Sequence, residues 1–247
     1  MEPAPGRERL HTRVTRELAR RVIESDRTRA VLAFPREADL CAQLGVSRTV
    51  LRESMKVLAD KGMVEMKPRA GTHSRPRPEW RQLDPDILVW QAESHPDAQF
   101  LRDLCEVRLA IEPTAAGFAA VRATADDLRR IESCLRERES RDAAAAPGEL
   151  IDLDLRFHMA VVAASRNPLL IELNGIIRQP FRTALACTLR FRSAVELSLH
   201  AHRTLLESLC RKDPMEARRA AEQVVGFAML AVERAIRAKR RIGNSSE

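Results

Sequence analysis

Tyrosine is absent from this 247-residue chain, and aromatic side chains are limited to seven Phe and two Trp. Surfaces that stack sugars or single-stranded bases are built from aromatic faces, so the composition argues against both. The five cysteines, Cys41, Cys105, Cys134, Cys187 and Cys210, are odd in number, widely spaced and form no CxxC pair. They read as free thiols in a reducing cytoplasm rather than a disulfide framework or a zinc ribbon. No apolar run approaches the ~20 residues of a membrane span. The opening EPAPGRERLHTR lacks the apolar stretch of a secretory signal. A phosphate-cradling glycine loop, a positioned nucleophile and a general-base motif are missing as well, so the chain is not expected to be an enzyme.

Positive charge is present, and it is unevenly placed. The first 80 residues carry 17 Lys+Arg against 11 Asp+Glu, whereas the remainder carries 25 against 24. The excess therefore sits with residues 35–73, which have the pattern of a helix, a tight turn, a second helix and a β-hairpin. Pro35, Glu37 and Asp39 suit a helix start. Leu40 and Leu44 supply that helix with an apolar face, and Gly45 can take the positive φ that ends it. Ser47 is placed to cap a second helix with Val50, Leu51, Met55, Val57 and Leu58 inside. Arg48, Thr49 and Arg52 then lie on its outer face near the N-terminus, where a recognition helix meets base edges in the major groove. Met63–Met66 and Thr72–Ser74, joined through Lys67-Pro68-Arg69-Ala70-Gly71, form a basic wing. Charge and pattern together point to a winged helix that binds DNA.

The predicted fold is mainly α: an N-terminal winged helix-turn-helix over residues 1–76, a Pro- and charge-rich linker over 77–84, and an all-α antiparallel bundle over 85–240. Helical periodicity predicts bundle helices at about 85–94, 97–121, 125–141, 148–165, 168–188, 193–211 and 214–240. Breaks fall at His95-Pro96, Ala146-Pro147-Gly148, Asn167-Pro168 and Asp213-Pro214.

Two features of the bundle go beyond packing. Asp154 and His158 are four residues apart, so both point from one helix face and can supply two ligands to a divalent cation. His202, set among Leu199, Leu205 and Leu206, is a candidate third ligand. The alternative for each is a surface pair or a core histidine with its own hydrogen bonds. Arg108 and Arg156 are candidate anion clamps, because an inward guanidinium needs an anionic partner. Their alternative is an ordinary ion pair, with Glu106 or Glu112 for Arg108 and Asp152 for Arg156.

The segment PREADLCAQLGVSRTVLRESMKVLADKGMVEMKPRAGT resembles the DNA-binding domain of GntR-family transcription regulators. EVRLAIEPTAAGFAAVRAT, DLRFHMAVVAASRNPLL and HRTLLESLCRKDPMEARRA resemble the FadR-type effector domain, FCD. The stretch WRQLDPDILVW is similar to that of sugar-acid regulators such as those of galactonate operons. The resemblance implies a homodimeric repressor of a sugar-acid operon, released from operator DNA by a small carboxylate. Regulators of the same family responding to another organic acid or a fatty acyl ligand form the alternative. A metal-dependent enzyme with an attached DNA-binding domain is the more distant one.

The resemblance also implies roles. Arg48 and Arg52 would read bases, guanine being the natural bidentate partner. Ser47, Thr49 and Arg36 would assist, and Gly71 and His73 would bring the wing to the minor groove. Arg108 and Arg156 would hold the effector carboxylate. Asp154, His158 and His202 fall on three of the four positions that hold a divalent metal such as zinc in FCD domains, while the fourth is Val224. One departure lies between the first two helices. There SDRTRAVLAFPRE lacks the family's Gly and Pro-Gly turn.

Overall fold

The computed structural model describes residues 10–67, 71–94, 97–141, 147–186 and 192–243. The chain divides into two compact units, Met1–His95 and Pro96–Glu247. No helix among the described residues is long and apolar enough to cross a membrane.

The first unit is built on α1 (Leu10–Arg27), α2 (Glu37–Leu44) and α3 (Arg48–Asp60). Val14, Leu18 and Val22 recur every four residues along α1 and are buried with Leu51, Met55 and Leu58 of α3. Gly45 ends α2 in the left-handed region at φ 65°, and Ser47 caps α3 through its hydroxyl, which accepts from the Val50 amide. β1 (Val64–Lys67) and β2 (Gly71–Ser74) pair antiparallel, with Val64 opposite Ser74 and Lys67 opposite Gly71. The expected wing tip, Pro68-Arg69-Ala70, lies outside the described residues.

Residues 32–34 run along the other edge of β2, a feature the sequence pattern did not signal. The Phe34 amide donates to Thr72 O at 2.9 Å and the Ser74 amide to Leu32 O at 2.8 Å. The turn leading there works without the family's glycine. Arg29 itself takes φ 56°, and the Ser25 hydroxyl closes the loop on Ala30 O at 2.7 Å. A non-glycine residue in this region carries a cost of about 1 kcal/mol.

The stretch expected as a linker packs onto the winged helix instead. A 3-10 turn at Arg77–Glu79 leads to Trp80, which is buried and donates its indole N–H to Arg75 O at 2.8 Å. Gly62, at φ 77°, leaves room for this turn: a methyl there would stand 2.6 Å from Glu79 O. Lys61 then reaches Asp84 at 2.7 Å and Asp86 at 2.8 Å, at the start of α4 (Pro85–Glu93). Ile87 and Trp90 of α4 complete the same core as Leu18 and Met55. The helix expected at 85–94 is thus present but grouped with the first unit, because two large apolar side chains and an ion-pair clasp hold it there.

The second unit contains α5 (Ala98–Arg122), α6 (Ala125–Glu139), α7 (Pro147–Ala164), α8 (Pro168–Ala186), α9 (Arg192–Cys210) and α10 (Pro214–Gly243). Of the breaks read from sequence, Pro147, Pro168 and Pro214 are helix starts, while His95-Pro96 and Ala146 lie outside the described residues. Asp97 caps α5, Thr124 and Asp127 form a reciprocal capping box on α6, and Asp213 accepts from the Met215 and Glu216 amides of α10. α5 packs on α10, α7 and α8, and α6 packs on α7 and α9. Eight of the fourteen buried residues in one core cluster are alanines, from Ala116 on α5 to Ala221 on α10. Cys41, Cys105, Cys134 and Cys210 are free thiols, and Cys187 lies outside the described residues.

Candidate functional site

The first turn of α3 carries Arg48, Thr49 and Arg52, all exposed. Their exposure follows from the apolar stripe Leu51–Met55–Leu58, which turns the opposite face of the helix outward. Arg48 and Arg52 converge on one carboxylate of α2, with Glu37 at 3.9 Å from Arg48 Nε and 3.1 Å from Arg52 Nε. Arg36 is the exposed N-cap of α2, beside that carboxylate in sequence. Gly71 opens β2 at φ 87°, while His73 is half-buried in mid-strand opposite Glu65.

In the bundle, four helices bring charged groups into the interior. Arg108 and Glu112 of α5 form a buried bidentate pair: Nε meets Oε1, and Nη2 donates to Oε2 at 3.2 Å. Glu112 Oε2 also lies 2.7 Å from His158 Nδ1 on α7. His158 Nε2 is 3.6 Å from Asp154 Oδ2, and Asp154 Oδ1 is 3.3 Å from His202 Nε2 on α9. Arg138 of α6 closes the ladder: its Nη1 donates to Asp154 Oδ1 and stands 3.4 Å from His202 Nε2. The edges and faces of Phe157 and both imidazoles pack together, with centroids 4.8–5.7 Å apart. Arg108 stacks over Phe181 at 3.9 Å.

Electrostatics fix the charge states. Burial works against ionising Glu112, but Arg108 and His158 outweigh it and hold the carboxyl down at about 2. Asp154 is likewise held well below the carboxylate range: Arg138 and the two imidazoles overcome a large burial penalty. For His202, burial prevails over the attraction of Asp154 and lowers its pKa, which favours the neutral ring. Beside the ladder is a narrow cavity of only about 10 Å³, lined by Arg108, Glu112, His158, Asn174, Arg178 and Phe181. Arg108 Nη1 is buried with no hydrogen-bond partner among the described residues.

The profile of the FCD domain matches residues 103–227, and that of bacterial regulatory proteins of the gntR family matches residues 10–73. The galactonate operon transcriptional repressor of Escherichia coli K12 is 34% identical over 191 residues, covering 76% of this chain and 82% of that protein. The chain belongs to the GntR family. It is an FCD-type, DNA-binding transcription regulator, mainly α, with an N-terminal winged helix and a helical FCD domain. The Uxu operon transcriptional regulator of the same bacterium is 31% identical over 73% of this chain and 64% of its own length. A solved structure of Listeria monocytogenes Lar shares the fold at a TM-score of 0.60 and 17% identity, covering 89% of this chain and 96% of that one.

Within this GntR regulator, the residues read from sequence are sorted by the helices that carry them. Asp154, His158 and His202 do meet, with ligand atoms within 4.8 Å of one another. Val224 is buried on α10, while the neighbouring Gln223 faces solvent. Arg108 is at the cavity, paired with Glu112. Arg156 is not: two residues beyond Asp154 on the helix, it faces outward, 47% exposed, and pairs with Glu137 at 2.8 Å. Asp152, the partner expected for Arg156, pairs with Arg182 at 2.5 Å. The inward arginine that sequence reasoning missed is Arg138. It continues the buried stripe Ile131–Leu135 at heptad spacing, and a charged residue in an apolar stripe was the available signal.

Proposed function

We propose that this regulator is a cytoplasmic, homodimeric repressor of a sugar-acid catabolic operon, and that a small carboxylate bound in the bundle releases it from its operator. The observation that carries the effector reading is Arg108. A buried guanidinium stacked on Phe181, with Nη1 left unpartnered at a cavity, is placed to donate to an incoming carboxylate. Similarity to the galactonate operon repressor supports an aldonate-type acid. Hydroxyl groups on such an acid would find His158, Asn174 and Arg178 along the same cavity wall, with His202 and Asp154 further along the ladder. At about 10 Å³ the cavity is far smaller than the ~300–1,000 Å³ usual for ligand sites. The side chains that line it must therefore move apart to admit a six-carbon acid.

On DNA, Arg48 and Arg52 are assigned to base edges, Ser47, Thr49 and Arg36 to the flanking backbone, and Gly71 and His73 to the wing contact. A ligand can release DNA only if it binds the operator-incompetent arrangement more tightly, a coupling typically worth ~1–3 kcal/mol.

The deciding experiment titrates operator DNA with parent, Arg48→Ala, Arg52→Ala and Arg108→Lys proteins, with and without aldonates. Each α3 variant should lose about 1–3 kcal/mol of operator affinity with unchanged thermal stability. Arg108→Lys keeps the charge against Glu112 but loses the planar fork. It should bind DNA like the parent and no longer release it. Release of the Arg108→Lys protein at parental aldonate concentrations would remove Arg108 from the effector site. Release of the parent by a fatty acyl compound alone would replace the sugar-acid reading.

A further inference from the structure

We infer that Arg138 is a built-in cation that stands in the place of the divalent ion at the Asp154–His158–His202 site. An ion held there needs lone pairs from Asp154 and His202. Arg138 Nη1 already stands between them, hydrogen-bonded to Asp154 Oδ1 and 3.4 Å from His202 Nε2, which itself lies 3.3 Å from Asp154 Oδ1. The arginine is 7% exposed and its Nε has no hydrogen-bond partner among the described residues, so Asp154 is the only carboxylate with which it is paired there. The guanidinium is dedicated to this site.

Of the remaining positions, His158 donates from Nδ1 to Glu112 at 2.7 Å, which leaves its Nε2 lone pair uncommitted, 3.6 Å from Asp154 Oδ2. The fourth position offers the hydrocarbon of Val224. The charges of Arg108 and Arg138 balance those of Glu112 and Asp154. A dication added to this balanced set would leave two uncompensated positive charges in a buried place, beside a guanidinium that repels it. The residues present do not fit a resident divalent ion while Arg138 holds its seat. The consequence for sensing, that effector recognition is independent of metal, rests on the effector reading above. The occupancy of the site does not.

The test is a cobalt titration of the full-length protein, followed by the visible ligand-field bands of Co²⁺ and repeated with zinc in competition. The parent should take up no stoichiometric ion at this site. Arg138→Met should bind one equivalent about 100-fold or more tightly than the parent, because it vacates the lone pairs and leaves Asp154 unneutralised. Arg138→Met/Val224→His should bind more tightly still, and His158→Ala in the Arg138→Met background should erase the bands. Arg138→Lys, which keeps a positive charge and so guards against a Met variant that does not fold, should stay metal-free like the parent. One equivalent of Co²⁺ in the parent that His158→Ala removes would overturn the inference. So would a folded Arg138→Met protein with no gain, or an Arg138→Lys protein that binds as tightly as Arg138→Met is expected to. Operator release by aldonates, measured with and without chelator, is a separate readout, so failure of the effector reading is told apart from failure of this one.

Discussion

The two units use arginine in opposite ways. On α3, Arg48 and Arg52 keep 72% and 70% of their side-chain surface exposed and share one carboxylate, Glu37. In the bundle, Arg108 and Arg138 keep 3% and 6%, and each has its own carboxylate, Glu112 and Asp154. An exposed guanidinium held loosely by a shared partner is easily handed to a phosphate or a guanine. A buried one with a dedicated partner cannot leave without stranding a charge. Depth of burial therefore separates an arginine free to change partners from one fixed against its own carboxylate.

The comparison breaks most visibly at Asp154. Asp154→Leu strands Arg138 inside the bundle and should cost about 3–5 kcal/mol, read as a lower urea midpoint. Adding Arg138→Met to the same protein should recover most of that loss, because paired removal leaves no orphan charge. A single-variant cost below about 1 kcal/mol would mean that the ladder is not dry. Acid gives a smaller effect in two steps. Because His202 has its pKa lowered in the fold, the unfolded chain takes up protons first as pH falls through about 6.5, and stability drops there. Glu112 has a carboxyl lowered to about 2, so its contribution is present above about 4.5 and lost progressively as pH falls towards 2. This second step should amount to about 2–3 kcal/mol and flatten in Glu112→Gln. The smallest stability effect belongs to the exposed pair. Glu37→Gln should move stability by no more than ~0.5 kcal/mol. The same change should raise operator affinity by roughly three- to tenfold at moderate salt, since a carboxylate no longer competes with phosphate. Weaker operator binding would show that Glu37 presents the arginines instead of competing for them.

The same contrast governs what could be read from sequence. Helix starts at Asp97, Thr124 and Asp213, the α3 cap at Ser47 and the outward face of Arg48 and Arg52 are local matters, set within one or two turns of chain. They were legible. The meeting of Asp154 with His158 was also local, being four residues along one helix. Arg138 was not, because its partner comes from the next helix and its inward direction depends on how α6 lies on α7. Arg156 failed for a simpler reason. Two residues from Asp154 is about 200° around a helix, which puts it on the far face. Trp80 shows the remaining gap. A Pro-rich, charged stretch has the composition of a connector, and only the contacts reveal that its one large aromatic side chain is core.

The alanine core beneath the ladder has a consequence for how the bundle can respond to a ligand. Alanine has no side-chain rotamers, so Ala116, Ala119, Ala160, Ala217 and Ala220 lose no side-chain entropy on burial and have no alternative packing to adopt. A core of longer side chains could absorb an arriving molecule by switching conformers. Where alanine meets alanine, room for a ligand has to come from helices shifting as whole bodies, since there is no side chain to turn aside.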